Sequence, residues 1–446
     1  MEKENVMGTK KISSLVITTG IPLMFSLLIN SLYNFVDSIF VSRISEDALT
    51  ALSLAAPVQL IVSSLGLGNA VGLNAVISKA LGEKNPEKVK KASSAAIFIA
   101  FCSWIINAVV CLLFVDVYYR WQAAGNEAII TYGKQYLSIC MLFSLGQMGQ
   151  WVFDRFVIAS GKSKLFLFTL SAASLTNLIL DPIFIFGMFS LPKMETTGAA
   201  LATVIGQFVG MFAGILINRR WNKEIPFSFT LKPDKQSIKD ILKVGFPSTV
   251  VQILTSFVNI AMNSILITFS TTAVAIFGVC AKIHNIATVG VHGINNGIIP
   301  IIAYNYGAKK KQRIEDSVKW AFIYGIALYL IFFIPMELFP AKMLAIFDAS
   351  EHMLSLGIPA IRILAVAYLI QVPTLVLAAA LQGLSLGTKS MYVTMLRQAI
   401  LPLLFAFILK GFGNIGLIWC AFVIAEALVL PFALVLWKKS LKNVHM

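Results

Sequence analysis

Apolar runs of about twenty residues or more, the length that crosses a bilayer as a helix, follow one another along this chain. Short stretches rich in charge, glycine and proline separate them. The pattern predicts twelve membrane spans: 14–41, 48–77, 92–116, 131–158, 164–189, 197–218, 237–268, 273–303, 316–340, 353–382, 389–409 and 414–437. A transmembrane β-barrel would show short alternating segments instead, and none is present. The expected class is an all-α polytopic membrane protein.

The chain repeats itself at an offset of 225 residues. Gly20-Ile21-Pro22 then falls on Gly245-Phe246-Pro247, and Gly68, Gly72 and Gly82 fall on Gly293, Gly297 and Gly307. Ala80–Lys84 lies over Asn305–Lys309, and Gly161–Lys164 meets Gly387–Ser390 after one insertion. This predicts an N-terminal six-helix lobe (1–218), a cytoplasmic linker (219–243) with Pro226 and Pro233, and a C-terminal six-helix lobe (244–446). Six spans per copy keep both in the same orientation, a plan used for alternating access.

Composition agrees: 58% of the 446 residues are hydrophobic and 13% charged, about half the charged share of a soluble domain. The net charge of +15 could suggest nucleic acid, but the basic residues gather in alternate loops. Lys10/Lys11, Lys84–Lys91, Lys162/Lys164, Arg219–Lys223, Lys309–Arg313 and Lys438–Lys442 lie on one side. By the positive-inside bias both termini are cytoplasmic, in a multi-pass cell-membrane protein. Nucleic acid is not an expected partner. The first apolar segment is too long for a cleavable signal and reads as the first span. The five cysteines lie inside apolar runs without a CxxC pair, which favours packing over metal or redox chemistry.

Polar residues within spans carry the chemistry. Ser26, Asn30, Asn34 and Asp37 recur at four, four and three residues, along one helix face. In the fifth span Asn177 and Asp181 are one turn apart, and Asp181 lies about 25 Å along it from Lys164 at 1.5 Å per residue. Both aspartates thus belong in the outer half of the membrane, where the sixth span brings in Thr203. Asp181-Pro182 could instead mark a span end, but Ile183–Phe189 continues apolar. Two like charges in such a site cannot both stay ionised without a cation, so either one carboxyl stores a proton or the oxygens hold Na⁺. The seventh span repeats the stripe as Gln252, Ser256, Asn259 and Asn263, without a carboxylate. Charged or titratable groups appear elsewhere in the spans of this half: Lys282 and His284 in the eighth, Arg362 in the tenth, Arg397 in the eleventh and Glu426 in the twelfth. His284 and His292 read as hydrogen-bonded packing residues. Asn30, Asn34, Gln252, Ser256, Asn259, Lys282 and Glu426 are the candidate substrate contacts. No HExxH, Gly-x-Gly-Asp or serine-nucleophile element argues for an enzyme.

Gly20–Pro57, Asn177–Gly187, Gly198–Gln207 and Ile301–Arg313 together resemble the multidrug and toxic compound extrusion (MATE) transporters, most of all their prokaryotic DinF-like branch. The resemblance implies two six-helix bundles around a central cleft. It further implies export of amphipathic, mostly cationic drugs in exchange for H⁺ or Na⁺ by a monomer in contact with membrane lipids, without a cofactor. It assigns the cation site to Asp37, Asn177, Asp181 and Thr203, and makes Pro22 a hinge of the first helix. Because Pro247–Asn259 carries no acid, cation chemistry is expected in the N-terminal half. A flippase for a lipid-linked or glycan precursor is the competing expectation; it would line its cleft with arginines, of which the spans have few.

Overall fold

A computed structural model describes residues 5–123, 125–347 and 350–442, except for the side chains of Tyr33, Asn34, Phe35, Ser38, Ser42, Glu46, Ser256 and Thr271. In chain order the helices are α1 (Val6–Thr9), α2 (Ile12–Ser42), α3 (Glu46–Gly82), α4 (Pro86–Gln122), α5 (Glu127–Leu142), α6 (Leu145–Ala159), α7 (Ser163–Phe186) and α8 (Glu195–Trp221). They continue as α9 (Lys235–Leu266), α10 (Thr271–Gly307), α11 (Lys311–Leu338), α12 (Pro340–Ala345), α13 (Glu351–Gly383), α14 (Gly387–Met395), α15 (Leu401–Lys410) and α16 (Ile415–Lys442). The described residues contain no strand.

Eleven of the predicted spans correspond to single stretches long and apolar enough to cross a membrane. The fourth is built differently: α5 and α6, of 16 and 15 residues, meet at Phe143–Ser144 and together supply the remaining crossing. The eleventh holds a five-residue π-helical segment, Leu396–Ile400, between α14 and α15. Pro402 accounts for it, because its ring would crowd the carbonyl four residues back and it has no N–H to give there.

The 225-residue repeat is visible in the backbone. Ser45 and Ser270 each cap the following helix by accepting an N–H bond at 3.0 Å, from Ala48 and Ala273, with φ of −169° at both. Lys84 and Lys309 both take the left-handed conformation, φ 52° and 56°, at the turn that closes α3 and α10.

The chain divides into two compact units, Met1–Met7 with Phe25–Thr249, and Gly8–Met24 with Val250–Met446. Their boundaries fall inside α2 and α9 rather than in the loop between α8 and α9. In the first unit, glycines let α9 approach α3 closely. A Cβ on Gly68 would lie 1.9 Å from Thr249 Oγ1 and 2.7 Å from the Gly245 carbonyl, and one on Gly72 would lie 2.1 Å from the Ile241 carbonyl. In the second unit the same device joins α2 to α10, where a Cβ on Gly297 would be 3.1 Å from Gly20 Cα and one on Gly293 2.7 Å from the Met24 nitrogen. Leu73, Ile77, Leu137, Met148 and Phe156 are central to the apolar core of the first unit. The second unit has one core around Leu15, Ile298 and Leu381 and another around Tyr329, Leu364 and Trp419.

Candidate functional site

The expected cation-site residues come together in the first unit. Glycines again set the geometry: a Cβ on Gly198 would meet the Phe184 backbone at 2.6 Å, and one on Gly206 the Ala173 carbonyl at 2.7 Å. α8 therefore lies directly on α7, and Thr203 reaches the Asn177 side chain. Asn177 Nδ2 donates to both Asp181 Oδ1 and Thr203 Oγ1, each at 3.3 Å. Asp181 is fully buried and Asn177 nearly so. Pro182 does not end the helix, since α7 runs on to Phe186 and closes at Gly187 with φ +74°. Lacking an N–H, Pro182 also leaves the Leu178 carbonyl without its helical donor.

The Asp37 carboxyl, brought in by α2, interacts side chain to side chain with that of Asp181. Asp37 Oδ1 and Asp181 Oδ2 are buried and receive no hydrogen bond from the described residues. The cluster offers only oxygen donors and one amide, with two oxygens in need of a proton or a cation. That donor set fits H⁺ or Na⁺. Among the described residues no group of three or more His, Cys, Asp or Glu could hold a metal ion.

Beside this cluster a cavity of about 580 Å³ runs through the first unit, with Asn30, Asp37, Gln147, Gln150 and Thr203 among its polar walls and Tyr136, Trp151 and Phe166 among its aromatic ones. Its volume suits a drug-sized molecule. A smaller annex of about 100 Å³ is lined by Asn177, Thr203, Gln207 and Gln150. Asp37 and Thr203 thus belong both to the polar cluster around Asp181 and to the lining of the larger cavity.

One acidic residue of the cavity was missing from the sequence expectations. Asp154 on α6 is buried and accepts a 2.5 Å hydrogen bond from Thr169 Oγ1 on α7. The sequence pattern does not single it out, and only the packing of α6 on α7 reveals its partner.

The other expected substrate contacts are dispersed. Asn30 is exposed and lines the cavity. Gln252 is half-buried and Asn259 exposed, both on the part of α9 in the second unit. Lys282 lies 5.8 Å from the centre of the Phe347 ring. Glu426 is buried in an ion pair with Arg397 and accepts from Thr374 Oγ1 at 2.9 Å. The side chains of Asn34 and Ser256 lie outside the described residues. Pro22 is buried within α2, which remains helical through it. His284 packs as expected, its ring 3.9 Å from that of Tyr368, but its Nδ1 has no hydrogen-bond partner.

Twelve crossings, an internal duplication and a paired-carboxyl site beside a drug-sized cavity define a polytopic membrane transporter. The MatE family model matches residues 22–183 and again 247–408, so the chain belongs to the MatE family. Both bounds of the second match are displaced by 225 residues, the offset of the repeat. The multidrug export protein MepA of Staphylococcus haemolyticus is 25% identical over 428 residues, covering 95% of this chain and 92% of the relative. MepA of Staphylococcus aureus strain MSSA476 is 26% identical over 413 residues, covering 92% and 90%. Among solved structures, an outward-facing multidrug resistance MATE family transporter superposes with TM-score 0.90 at 21% identity, covering 100% of this chain and 99% of the other. A MOP superfamily transporter from Pyrococcus furiosus gives 0.89 at 21% identity with the same coverage.

Proposed function

We propose that this chain is a cation-coupled antiporter that exports amphipathic, mostly cationic small molecules across the cell membrane by alternating access. Its cation site would be Asp37, Asn177, Asp181 and Thr203. The observation that carries this reading is the contact between the Asp37 and Asp181 carboxyls, each with a buried oxygen lacking a donor. Such a pair holds a proton or a Na⁺ ion readily and is unfavourable without one in a low-dielectric setting. Because Asp37 also lines the cavity, a cationic substrate and the coupling ion compete for one charge. Competition of that kind couples entry of one to release of the other. The MepA relatives bear the name of multidrug exporters, which supports the substrate class. The alternating basic loops support cytoplasmic termini, and the reaction needs no cofactor.

The test is efflux from proteoliposomes of ethidium and related cationic dyes under an imposed Na⁺ or pH gradient. Dye movement driven by one gradient and not the other identifies the ion. Absence of movement with every dye and both gradients refutes the proposal.

A further inference from the structure

In the first unit α6 packs against both α4 and α8, and between those two helices lies an apolar groove of about 300 Å³. Gly149 and Val152 on α6 form its floor, Ile97 and Phe101 on α4 one wall, and Met211 on α8 the other. A Cβ on Gly149 would lie 2.3 Å from Met211 Sδ, so α8 can sit this close to α6 only over a glycine. No residue lines both this groove and the cavity beside the cation cluster, and every side chain of the groove is apolar. From Leu145 to Phe153 it runs about 12 Å along α6 at 1.5 Å per residue. That is close to the depth of one leaflet, half of a hydrocarbon core about 30 Å thick.

Residues 226–229, in the loop between α8 and α9, border one end. Ser93 Oγ donates to the Pro226 carbonyl at 2.6 Å, and the Ser94 and Ser228 hydroxyls share a hydrogen bond at 3.3 Å. The Phe229 ring stands 5.3 Å from that of Phe101, and the Phe227 ring 5.2 Å from that of Phe153. Basic residues gather at the same end. The Arg219 guanidinium is 6.0 Å from the centre of the Phe227 ring, and that of Arg220 is 5.3 Å from the Trp221 ring. Both arginines are exposed, and neither has an acidic partner among the described residues. Glu224, the acid nearest to them in sequence, is engaged by Lys162 at 3.1 Å.

An apolar groove of one leaflet's depth on a membrane-spanning chain suits an acyl chain, and uncompensated arginines at its mouth attract an anionic head group. We propose that this groove binds one anionic phospholipid from the leaflet on the side of the basic loops. An acyl chain lies on the floor made by Gly149 and Val152, and Arg219 and Arg220 hold the phosphate. Arginine suits that role because its planar fork gives phosphate two parallel hydrogen bonds. The exposed Trp221 sits at head-group level, where amphipathic rings collect. The site is independent of the coupling ion and of the exported substrate.

Native mass spectrometry of the delipidated full-length protein, titrated with phosphatidylglycerol or phosphatidylcholine of the same acyl chains, counts bound lipids and gives their affinities. Wild type is expected to hold one phosphatidylglycerol at least tenfold more tightly than phosphatidylcholine. R219Q/R220Q should lose about tenfold for phosphatidylglycerol and little for phosphatidylcholine. K438Q/K439Q, which removes as much charge from the second unit, should match wild type. I97W, which fills the groove, should weaken both lipids, and the smaller change I97F should do so to a lesser degree. Equal affinity of wild type for the two lipids overturns the site, as does an equal loss in K438Q/K439Q and R219Q/R220Q. Unchanged binding in both I97W and I97F does the same. So does displacement of the lipid by an equal concentration of glycerol 3-phosphate, since the acyl chain would then contribute nothing.

Discussion

Arg397 Nη1 donates to Glu426 Oε1 at 3.1 Å, and the two side chains are only 3% and 7% exposed. Arg397 sits on the π-helical turn before Pro402, and Glu426 on α16 is also held by Thr374 of α13. Three segments of the second unit are thereby tied through one carboxylate. Arg397 Nη2 has no further partner among the described residues, so Glu426 is the main compensation for that charge.

Glu426→Gln should therefore act on stability before it acts on transport. Removing one member of a buried ion pair leaves the other uncompensated and costs about 3–5 kcal/mol. Intrinsic-fluorescence melting in detergent should show a clear drop for this variant. The double variant Arg397→Met, Glu426→Leu should recover most of the loss, since no charge then remains buried. A single variant that melts like wild type yet loses efflux would instead make Glu426 a functional carboxylate.

Asp37→Asn and Asp181→Asn preserve shape and remove the charge on which a proton or Na⁺ depends. Each is expected to lower gradient-driven dye efflux by at least tenfold, about 1.4 kcal/mol of driving interaction or more, with the protein still in the membrane. Vesicle efflux assays with immunoblots of the membrane fraction check both parts. Wild-type efflux from both variants would remove the paired carboxyls from the mechanism.

The two aspartates were legible because helical periodicity is a one-dimensional signal. Asn177 and Asp181 at i and i+4 announce a shared face, and the alternating charged loops set their depth. The repeat was equally legible, as matching glycines and basic turns. Partners on different helices were not. Nothing in the sequence pairs Asp154 with Thr169 or Glu426 with Arg397, because those contacts depend on helix rotation and on local deformations such as the π turn before Pro402. The break at Phe143–Ser144 is not marked in the sequence either, because neither a proline nor a charge stands at it. The glycines show a further limit, since the sequence marks Gly20 and Gly245 as equivalent but does not say that each packs on the other repeat's glycine helix.

Asp234 in the loop before α9 accepts from Ser237 twice, from its N–H at 2.7 Å and its hydroxyl at 2.8 Å. These donors hold its carboxyl below the ordinary value of 3.8. A carboxylate with a lowered folded-state pKa adds stability above the unfolded value, and the contribution disappears as pH falls through the folded one. Asp234→Ala should cost about 1 kcal/mol, as for loss of a helix N-cap. The difference from wild type should persist at pH 5 to 8 and vanish below the carboxylate range. Melting curves of both proteins across that interval test it, and a difference that grows on acidification would contradict the cap.

The glycine contacts between α3 and α9 make the sharpest structural prediction. A methyl group on Gly68 would collide with Thr249 Oγ1 at 1.9 Å and with the Gly245 carbonyl at 2.7 Å; on Gly72 it would meet the Ile241 carbonyl at 2.1 Å. Backbone cannot yield as a side-chain tip can, so the helices would have to separate, at a cost of about 1–3 kcal/mol or more for overpacking. Gly68→Ala combined with Thr249→Ala should recover little, because the carbonyl clash remains. Gly20→Ala should be milder, because its nearest obstacle, at 2.6 Å, is the tip of the Ile294 side chain. Gly278 on α10 has open space where a Cβ would stand, so Gly278→Ala should be neutral or raise stability by up to about 1 kcal/mol through helix propensity. Melting temperatures should rank Gly278→Ala at or above wild type, then Gly20→Ala, with Gly68→Ala and Gly72→Ala lowest. Equal melting of Gly68→Ala and wild type would mean that α3 and α9 are not in backbone contact.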